Sequence, residues 1–402
     1  MNSRDARWLD VQPPAAPTAQ AGRALRPEDA GATSAPHEPV TGGRDRYFDV
    51  LRAVAVVRVV VYHMFPVAWL SMVFPAMGVM FALGGSLMAR SMERSVEQAI
   101  IGRLRRLLPA LWVMGAVLVP AMTWSGWPAR PDWPSLLLWV LPVAEPPGTE
   151  WAEPITGVLW YVVTYLWLVL LSPAALWLYR RARLATIFLP LVLLAAMDWI
   201  PWFLSDVAGS VVTDVLTFAA CWILGFAHRD GDLRHATAPA LVAAGTIAIG
   251  GALAWVLTHP GGDGDIDLSS APLAYGIYSI GFAVILLRFP FRVDRLTRRK
   301  LAVGLVNFVN ARAVTIYLWH NAAITASFVV GDYLEVWKLG DSLMMAGYMS
   351  VATALLAITV ALVGWVEDLS ARRPLRLVPW RQAPASRPRP VKSDWAGPSP
   401  WW

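Results

Sequence analysis

The sequence predicts an all-α membrane protein, a polytopic bundle of about ten transmembrane helices with both termini in the cytoplasm. Three observations support this fold class. Hydrophobic residues make up 56% of the 402 residues and charged residues only 15%, a composition outside the range of ordinary soluble domains. Apolar windows of about 17–25 residues, the length that crosses a bilayer, recur along most of the chain. Arginine and lysine gather in alternate connecting segments, as the positive-inside rule requires.

Ten apolar windows account for the predicted spans. They are bounded by charged residues, proline or glycine and fall at 49–69, 72–92, 107–124, 157–179, 184–201, 210–227, 237–258, 272–289, 313–331 and 344–366. A shorter apolar piece at 133–142 has about half the length needed to cross a bilayer. We therefore expect it to be an interfacial or re-entrant segment.

The distribution of charge orients these spans. Almost every basic residue lies in the two tails or in the segments at 90–106, 180–183, 228–235 and 288–300. The alternate segments hold Arg130 and Lys338 as their only basic residues, together with many acidic ones. Because basic residues are retained on the cytoplasmic side, an even number of spans with both termini in the cytoplasm fits the alternation.

We divide the chain into one transmembrane domain, residues 46–370, and two cytoplasmic tails. Residues 1–45 are rich in Pro, Ala, Gly and Arg and lack the apolar region of a secretory signal. Residues 371–402 combine arginine and proline with tryptophan, so we expect a disordered tail that contacts the bilayer surface. The net charge of +6 follows from this distribution and does not predict a nucleic-acid partner. The single cysteine, Cys221, excludes a multi-cysteine metal site, and we expect no metal.

The first window contains ionisable residues that an ordinary span avoids. A charge at the bilayer centre costs roughly 2.5–3.5 kcal/mol, yet the stretch FDVLRAVAVVRVVVYHMF carries Asp49, Arg52, Arg58 and His63. Helical periodicity places Arg52 and His63 on one face, about 16 Å apart along the axis, and Asp49 on that face can pair with Arg52. Topological anchoring, snorkelling and packing would explain these residues one by one. Taken together they favour a functional site. Arg58 is not part of it, because it lies about 120° around the helix from the face of Arg52 and His63.

Two further groups of residues are candidates for chemistry. The basic run GRLRRLLPALW places Arg103 and Arg106 on one helix face, and guanidinium groups suit phosphate oxygens. Topology alone also explains basic residues in this position. His320, in TIYLWHNAAI, lies inside a later predicted span. It is either a hydrogen-bonded packing residue or a partner of His63.

In this order the motifs resemble those of the acyltransferase family 3 membrane proteins, which move acyl groups onto hydroxyls of sugars, glycans and some small molecules. The resemblance extends over residues 44–370. The matching residues are Asp49, Arg52 and His63 of the opening signature, Arg103, Arg106 and Pro109 of an Arg-x-x-Arg before proline, Trp160, Tyr161 and Pro173 of a Trp-Tyr segment, Tyr317 and His320 of a Tyr-x-x-His, and the closing Glu367. Gly84 replaces a serine that many members have, as in a two-glycine, actinobacterial-like subgroup, and Thr164 stands where some members have a glutamate.

The resemblance implies an integral membrane O-acyltransferase of the bacterial plasma membrane. It implies acyl-CoA as the co-substrate, no bound cofactor, and a hydroxyl acceptor on a cell-envelope glycan, lipid-linked sugar or small molecule. His63 would be the general base or carry the acyl group, Arg52 would orient it or bind the donor, Arg103 and Arg106 would bind the donor, and His320 would assist. The alternative is a secondary transporter that uses the same Arg/His face; it predicts inverted repeats, which the sequence does not display.

Overall fold

The computed structural model describes residues 46–65, 69–128, 131–197, 206–260, 266–291, 293 and 298–375. All regular secondary structure in these ranges is helical, and they contain no strand. The long helices are α1 (Arg46–Met64), α2 (Ala76–Met92), α3 (Val96–Trp124), α4 (Leu159–Arg181), α5 (Arg183–Met197), α6 (Asp206–Asp230), α7 (Ala238–Thr258), α8 (Pro272–Arg288), α9 (Lys300–Ala311), α10 (Ala313–Tyr333) and α11 (Asp341–Val363). Shorter helices connect them at Trp69–Val73, Trp133–Leu136, Leu137–Trp139, Glu150–Ala152, Glu153–Thr156, Asp232–His235, Leu268–Ser270 and Val336–Leu339, and Trp365–Ser370 follows α11.

The predicted all-α architecture is confirmed, and each of the ten apolar windows overlaps one long helix. Among the described residues, six helices are long and apolar enough to cross a membrane, namely α3, α4, α6, α7, α10 and α11. The chain is therefore a multi-pass membrane protein. Helix α1 is more polar because of its four charged residues, and α2 and α8 have only 17 residues each. The number of ten spans and the cytoplasmic position of the termini stay predictions.

The apolar pattern did not predict α9 as a separate helix. At 12 residues it is too short to cross a bilayer. The piece at 133–142 forms one short α-helix and a 3₁₀ turn, and Trp139 at its end is buried against Gly115 of α3. The tail 1–45 and the part of the second tail from residue 376 onward lie outside the described residues.

Helix α6 packs against α2, α4, α5 and α8, and small residues bring it closest to α2. A Cβ atom added at Gly85 would collide with the main-chain oxygen of Trp222, and one added at Gly84 would stand 2.7 Å from the Trp222 ring. Glycine lets two membrane helices approach to backbone contact. A side chain at position 84 would thus force the Trp222 ring to shift.

The short helix Trp365–Ser370 is fastened to the start of α10. Asp368 forms a buried salt bridge with Arg312 at 2.7 Å, with side-chain exposures of 5% and 1%. One carboxylate oxygen of Glu367 accepts a hydrogen bond from the main-chain N–H of Thr315 at 2.5 Å. The charge of Glu367 therefore lies at the N-terminus of a long helix, where the helix dipole favours an anion.

Candidate active site

A cavity of about 500 Å³ lies between α1, α2, α3, α4, α9, α10 and the segment that follows α11. We call it the arginine cavity because six arginines line it, namely Arg52, Arg90, Arg94, Arg103, Arg106 and Arg373. Among its described lining residues, Glu367 is the single acidic side chain. A cluster of cations with so little compensation attracts a polyanion, because planar guanidinium groups bind phosphate and carboxylate oxygens through charge-assisted hydrogen bonds.

Helix α3 supplies two of these arginines. It begins after Ser95, whose hydroxyl accepts a hydrogen bond from the N–H of Gln98 at 3.3 Å, and it runs for 29 residues. Arg103 and Arg106 are one turn apart and both line the cavity. The Arg103 guanidinium donates to the hydroxyl of Tyr165 at 3.0 Å, to the hydroxyl of Ser91 at 3.5 Å and, through Nε, to the sulfur of Met88 at 3.0 Å, so each of its nitrogens is held in place at the cavity wall.

The remaining cavity arginines are not paired with carboxylates, unlike two arginines outside the cavity. Within the described part of the chain, the guanidiniums of Arg52, Arg90, Arg94, Arg106 and Arg373 have no carboxylate partner. Outside the cavity, Arg180 pairs with Asp230 at 3.0 Å and Arg229 pairs with Glu93 at 2.6 Å. Arginine forks left without carboxylates in a concave site are a binding surface for an anionic ligand.

A pair of histidines lies beyond the cavity. His63 is at the end of α1 and His320 is in α10, and their ring centroids are 5.0 Å apart with the ring planes inclined at 60°. The His320 side chain is completely buried, whereas His63 is exposed. The His63 side chain is therefore accessible to a ligand, while it also contacts the buried ring of His320.

The hydrogen bonds of His320 determine its tautomer. Its Nδ1 lies 2.6 Å from the main-chain oxygen of Tyr317, and because a carbonyl oxygen only accepts, Nδ1 carries the proton. The neutral ring then has its lone pair on Nε2. This nitrogen is buried and has no hydrogen-bond partner among the described residues, so it is available to accept a proton or to orient a neighbouring donor.

Two tyrosine rings separate the arginine cavity from the histidine pair. Tyr161 lines the cavity, and its ring centroid is 4.7 Å from that of Tyr317. The Tyr317 ring is in turn 5.6 Å from His320. Its hydroxyl donates to the main-chain oxygen of Val158 at 2.9 Å, which fixes the ring between the two sites. The cavity and the histidines are thus consecutive sites along the bundle.

The structure divides the predicted residues of α1 between these two sites. Arg52 lines the cavity, and at 1.5 Å per residue it is about 16 Å from His63 along the helix, too far to orient the imidazole directly. Asp49 is half-buried, and its main-chain oxygen accepts a hydrogen bond from Asn310 at 2.7 Å. The predicted pairing of Asp49 with Arg52 is not formed, because the Arg52 guanidinium has no carboxylate partner among the described residues. Trp160 stacks on Phe218, with centroids 5.5 Å apart, and does not line the cavity.

Sequence reasoning missed several cavity residues. Arg90 and Arg94 were attributed to membrane topology, although their spacing of four positions matches one helical turn and was a usable signal. Asn310 lies on α9, and Arg373 lies in the predicted tail. Arg373 reaches the cavity because the segment after α11 folds back onto α10, and Asn310 reaches it because α9 is hydrogen-bonded to α1. Among the described residues no group of three or more His, Cys, Asp or Glu is placed to hold a metal ion.

Comparison with known proteins gives one family match. The family model for an acyltransferase domain matches residues 45–366, which is most of the chain. The match includes both histidines and all of the cavity arginines except Arg373, and it ends one residue before Glu367. No curated protein and no solved structure matches the chain.

Proposed function

Because the chain belongs to the acyltransferase family, we propose that it is a membrane O-acyltransferase. It moves an acyl group, such as acetyl, from a cytoplasmic acyl-CoA to a hydroxyl of a cell-envelope glycan, lipid-linked sugar or small molecule. The observation that carries the proposal is the succession of an arginine cavity and a histidine pair, linked by Tyr161 and Tyr317. No feature of the described residues favours a transporter.

The donor assignment is supported by the composition and size of the cavity. Coenzyme A carries a pyrophosphate and a 3′-phosphate, and the cavity offers arginines without carboxylate partners among the described residues. Its volume of about 500 Å³ lies within the usual range for ligand sites. In this assignment Arg103 and Arg106 bind phosphate as predicted, and Arg52 is a donor-binding residue rather than one that orients His63.

The catalytic assignment is supported by the exposure of His63 and the tautomer of His320. As the acceptor oxygen attacks the thioester carbonyl carbon, His63 removes the hydroxyl proton, and the bond from carbon to sulfur breaks to release the coenzyme A thiolate, which then takes up a proton. General-base catalysis of this kind contributes roughly 10²–10⁴-fold to rate. His320 orients the His63 ring. A covalent acyl group on His63 would divide the same transfer into two steps.

The same proposal includes the membrane arrangement. Ten helices cross the bacterial plasma membrane, both termini are cytoplasmic, and the arginine cavity faces the cytoplasm, where acyl-CoA is available. The basic segments at 90–106 and 288–300 support this orientation. The consecutive glycines Gly84 and Gly85 support membership of the two-glycine subgroup.

The experiment combines purified protein, radiolabelled acyl-CoA and a glycan extract, and compares the wild type with His63→Ala. We expect transfer by the wild type and a loss of roughly 10²–10⁴-fold in the variant. His259→Ala is the matched control, because that histidine is exposed and stacks on Trp255 at the end of α7. Undiminished transfer by His63→Ala would contradict the catalytic assignment. Unmodified label accumulating inside proteoliposomes would indicate transport instead.

A further inference from the structure

Arg58 is a charged residue in the middle of α1 that the site described above leaves out. It does not line the arginine cavity, and a charge within a membrane helix is costly unless it has a partner or a function. Its guanidinium donates to the main-chain oxygen of Leu70 at 2.8 Å. It also lies over the ring of Tyr62, 4.7 Å from the centroid. Arg58 therefore joins the Trp69–Val73 helix to the side chain that directly precedes His63.

Tyr62 extends this network to a second segment. Its hydroxyl donates to one carboxylate oxygen of Asp267 at 2.9 Å. The other oxygen of Asp267 accepts the main-chain N–H of Ser269 at 2.9 Å. The N–H of Leu268 donates to the hydroxyl of Ser71 at 3.4 Å, so the two connecting segments are bonded to each other as well as to α1.

The network lies beside the open face of His63. The Tyr62 ring stands edge-on to the His63 ring, with centroids 5.6 Å apart. His63 and Ser269 are exposed, and Tyr62 and Asp267 are half-buried. A phenol, a carboxylate and a serine hydroxyl are thus accessible in the network next to the proposed base.

We propose that Tyr62 and Asp267 recognise hydroxyl groups of the acceptor beside His63, and that Arg58 is the positioning residue that holds them there. The inference rests on the proposed function. A carboxylate only accepts hydrogen bonds and a phenol both donates and accepts, so the pair suits a polyhydroxylated molecule such as a sugar. A site built to bond substrate hydroxyls discriminates strongly against analogues that lack them.

A purely structural role does not account for these residue types. Two connecting segments can be tied together by apolar packing alone. An arginine and a carboxylate near an exposed histidine are better explained by a ligand that they orient.

The test measures KM for the acceptor, KM for acyl-CoA and kcat in Tyr62→Phe, Asp267→Asn, Arg58→Gln and Arg58→Lys. We expect the first three to raise the acceptor KM roughly 10- to 100-fold, the effect of losing a hydrogen bond to a charged group, with the KM for acyl-CoA unchanged. Arg58→Lys retains the charge and restores part of the acceptor affinity.

Tyr179→Phe is the matched control. The Tyr179 hydroxyl donates to Asp232 at 2.5 Å, so it repeats the Tyr–Asp bond, but it lies about 27 Å along α4 from Tyr161. We expect neither KM to change. A lower melting temperature of Asp267→Asn with an unchanged acceptor KM would show that the network is only a structural tie, and an equal rise in both KM values would also overturn the inference. Absence of transfer by the wild type with every acceptor would instead overturn the proposed function and, with it, this inference.

Discussion

His63 and His320 come from opposite halves of the chain, and their rings meet with centroids 5.0 Å apart. The contact joins the end of α1 to the middle of α10. It gives an exposed imidazole a buried neighbour whose Nδ1 proton is committed to the Tyr317 carbonyl. Because Nδ1 of His320 is engaged in this way, Nε2 is the nitrogen that remains to interact with His63.

His320→Asn tests this relationship. The asparagine amide keeps a donor for the Tyr317 carbonyl, which His320 now satisfies at 2.6 Å, and removes the Nε2 lone pair. We expect kcat to fall by roughly 10²-fold, the lower end for loss of a proton-transfer partner, with an unchanged KM for acyl-CoA and little change in melting temperature. An unaltered kcat would show that His320 is only a packing residue.

Arg106→Gln tests the arginine cavity as the donor site. Arg106 lines the cavity and has no carboxylate partner among the described residues, so its removal should cost one charge-assisted bond to phosphate, about 1.5–3 kcal/mol. We expect KM for acyl-CoA to rise by at least tenfold. Arg180→Gln is the control, since Arg180 pairs with Asp230 outside the cavity. Equal KM values in the two variants would contradict the assignment.

Gly85→Ala tests the close approach of α2 and α6. The added methyl would collide with the main-chain oxygen of Trp222, and backbone cannot rotate away as a side chain does. We expect a destabilisation of about 1–3 kcal/mol, typical of overpacking, seen as a lower melting temperature in detergent. Gly250→Ala in α7 is the control, because nothing lies within 4 Å of its added Cβ. If Gly85→Ala were as stable as Gly250→Ala, α2 and α6 would be able to move apart without loss of stability, and the prediction would be wrong.

Asp368→Asn tests the attachment of the segment after α11. It leaves the buried Arg312 charge, now paired at 2.7 Å, without its carboxylate, and breaking a buried pair costs about 3–5 kcal/mol. Asp230→Asn breaks a pair whose side chains are 50% and 20% exposed, and such pairs contribute under about 1 kcal/mol. Equal melting temperatures for the two variants would mean that the Arg312–Asp368 pair does not stabilise the fold.

Glu367 gives a prediction for pH. Burial raises the pKa of its carboxyl from an ordinary value of 4.5 to about 7. An acid with a raised pKa in the folded state binds protons more tightly there than in the unfolded state, so its stabilising contribution is present below pH 4.5 and is lost as the pH rises toward 7. Relative to Glu367→Gln, we expect the wild type to lose on the order of 1–3 kcal/mol of unfolding free energy across this interval. The exposed Glu150→Gln is the control, and parallel pH profiles for wild type and Glu367→Gln would refute the prediction.

The histidine end of the site shows what a local pattern can predict. The spacing of Arg52 and His63 and the polarity of α1 were sufficient to single out both residues, because helical periodicity is a property of the sequence itself. The pattern could not show that Arg52 belongs to the cavity while His63 contacts α10, since that depends on which helices are neighbours. It left Arg58 unexplained for the same reason, because Leu70 approaches Arg58, and Asp267 approaches the neighbouring Tyr62, only in the folded chain.

The sequence by itself determined the all-α membrane character and the positions of ten long helices, and it singled out the residues that we propose for acyl transfer. These follow from the lengths of apolar windows and from residue chemistry, which are local. Only the tertiary structure decided that arginines from α1, α2, α3 and the segment after α11 line one cavity, and that His320 presents a bare Nε2. Such contacts depend on the packing of helices distant in the chain, set here by the glycines against Trp222 and by the buried Arg312–Asp368 pair.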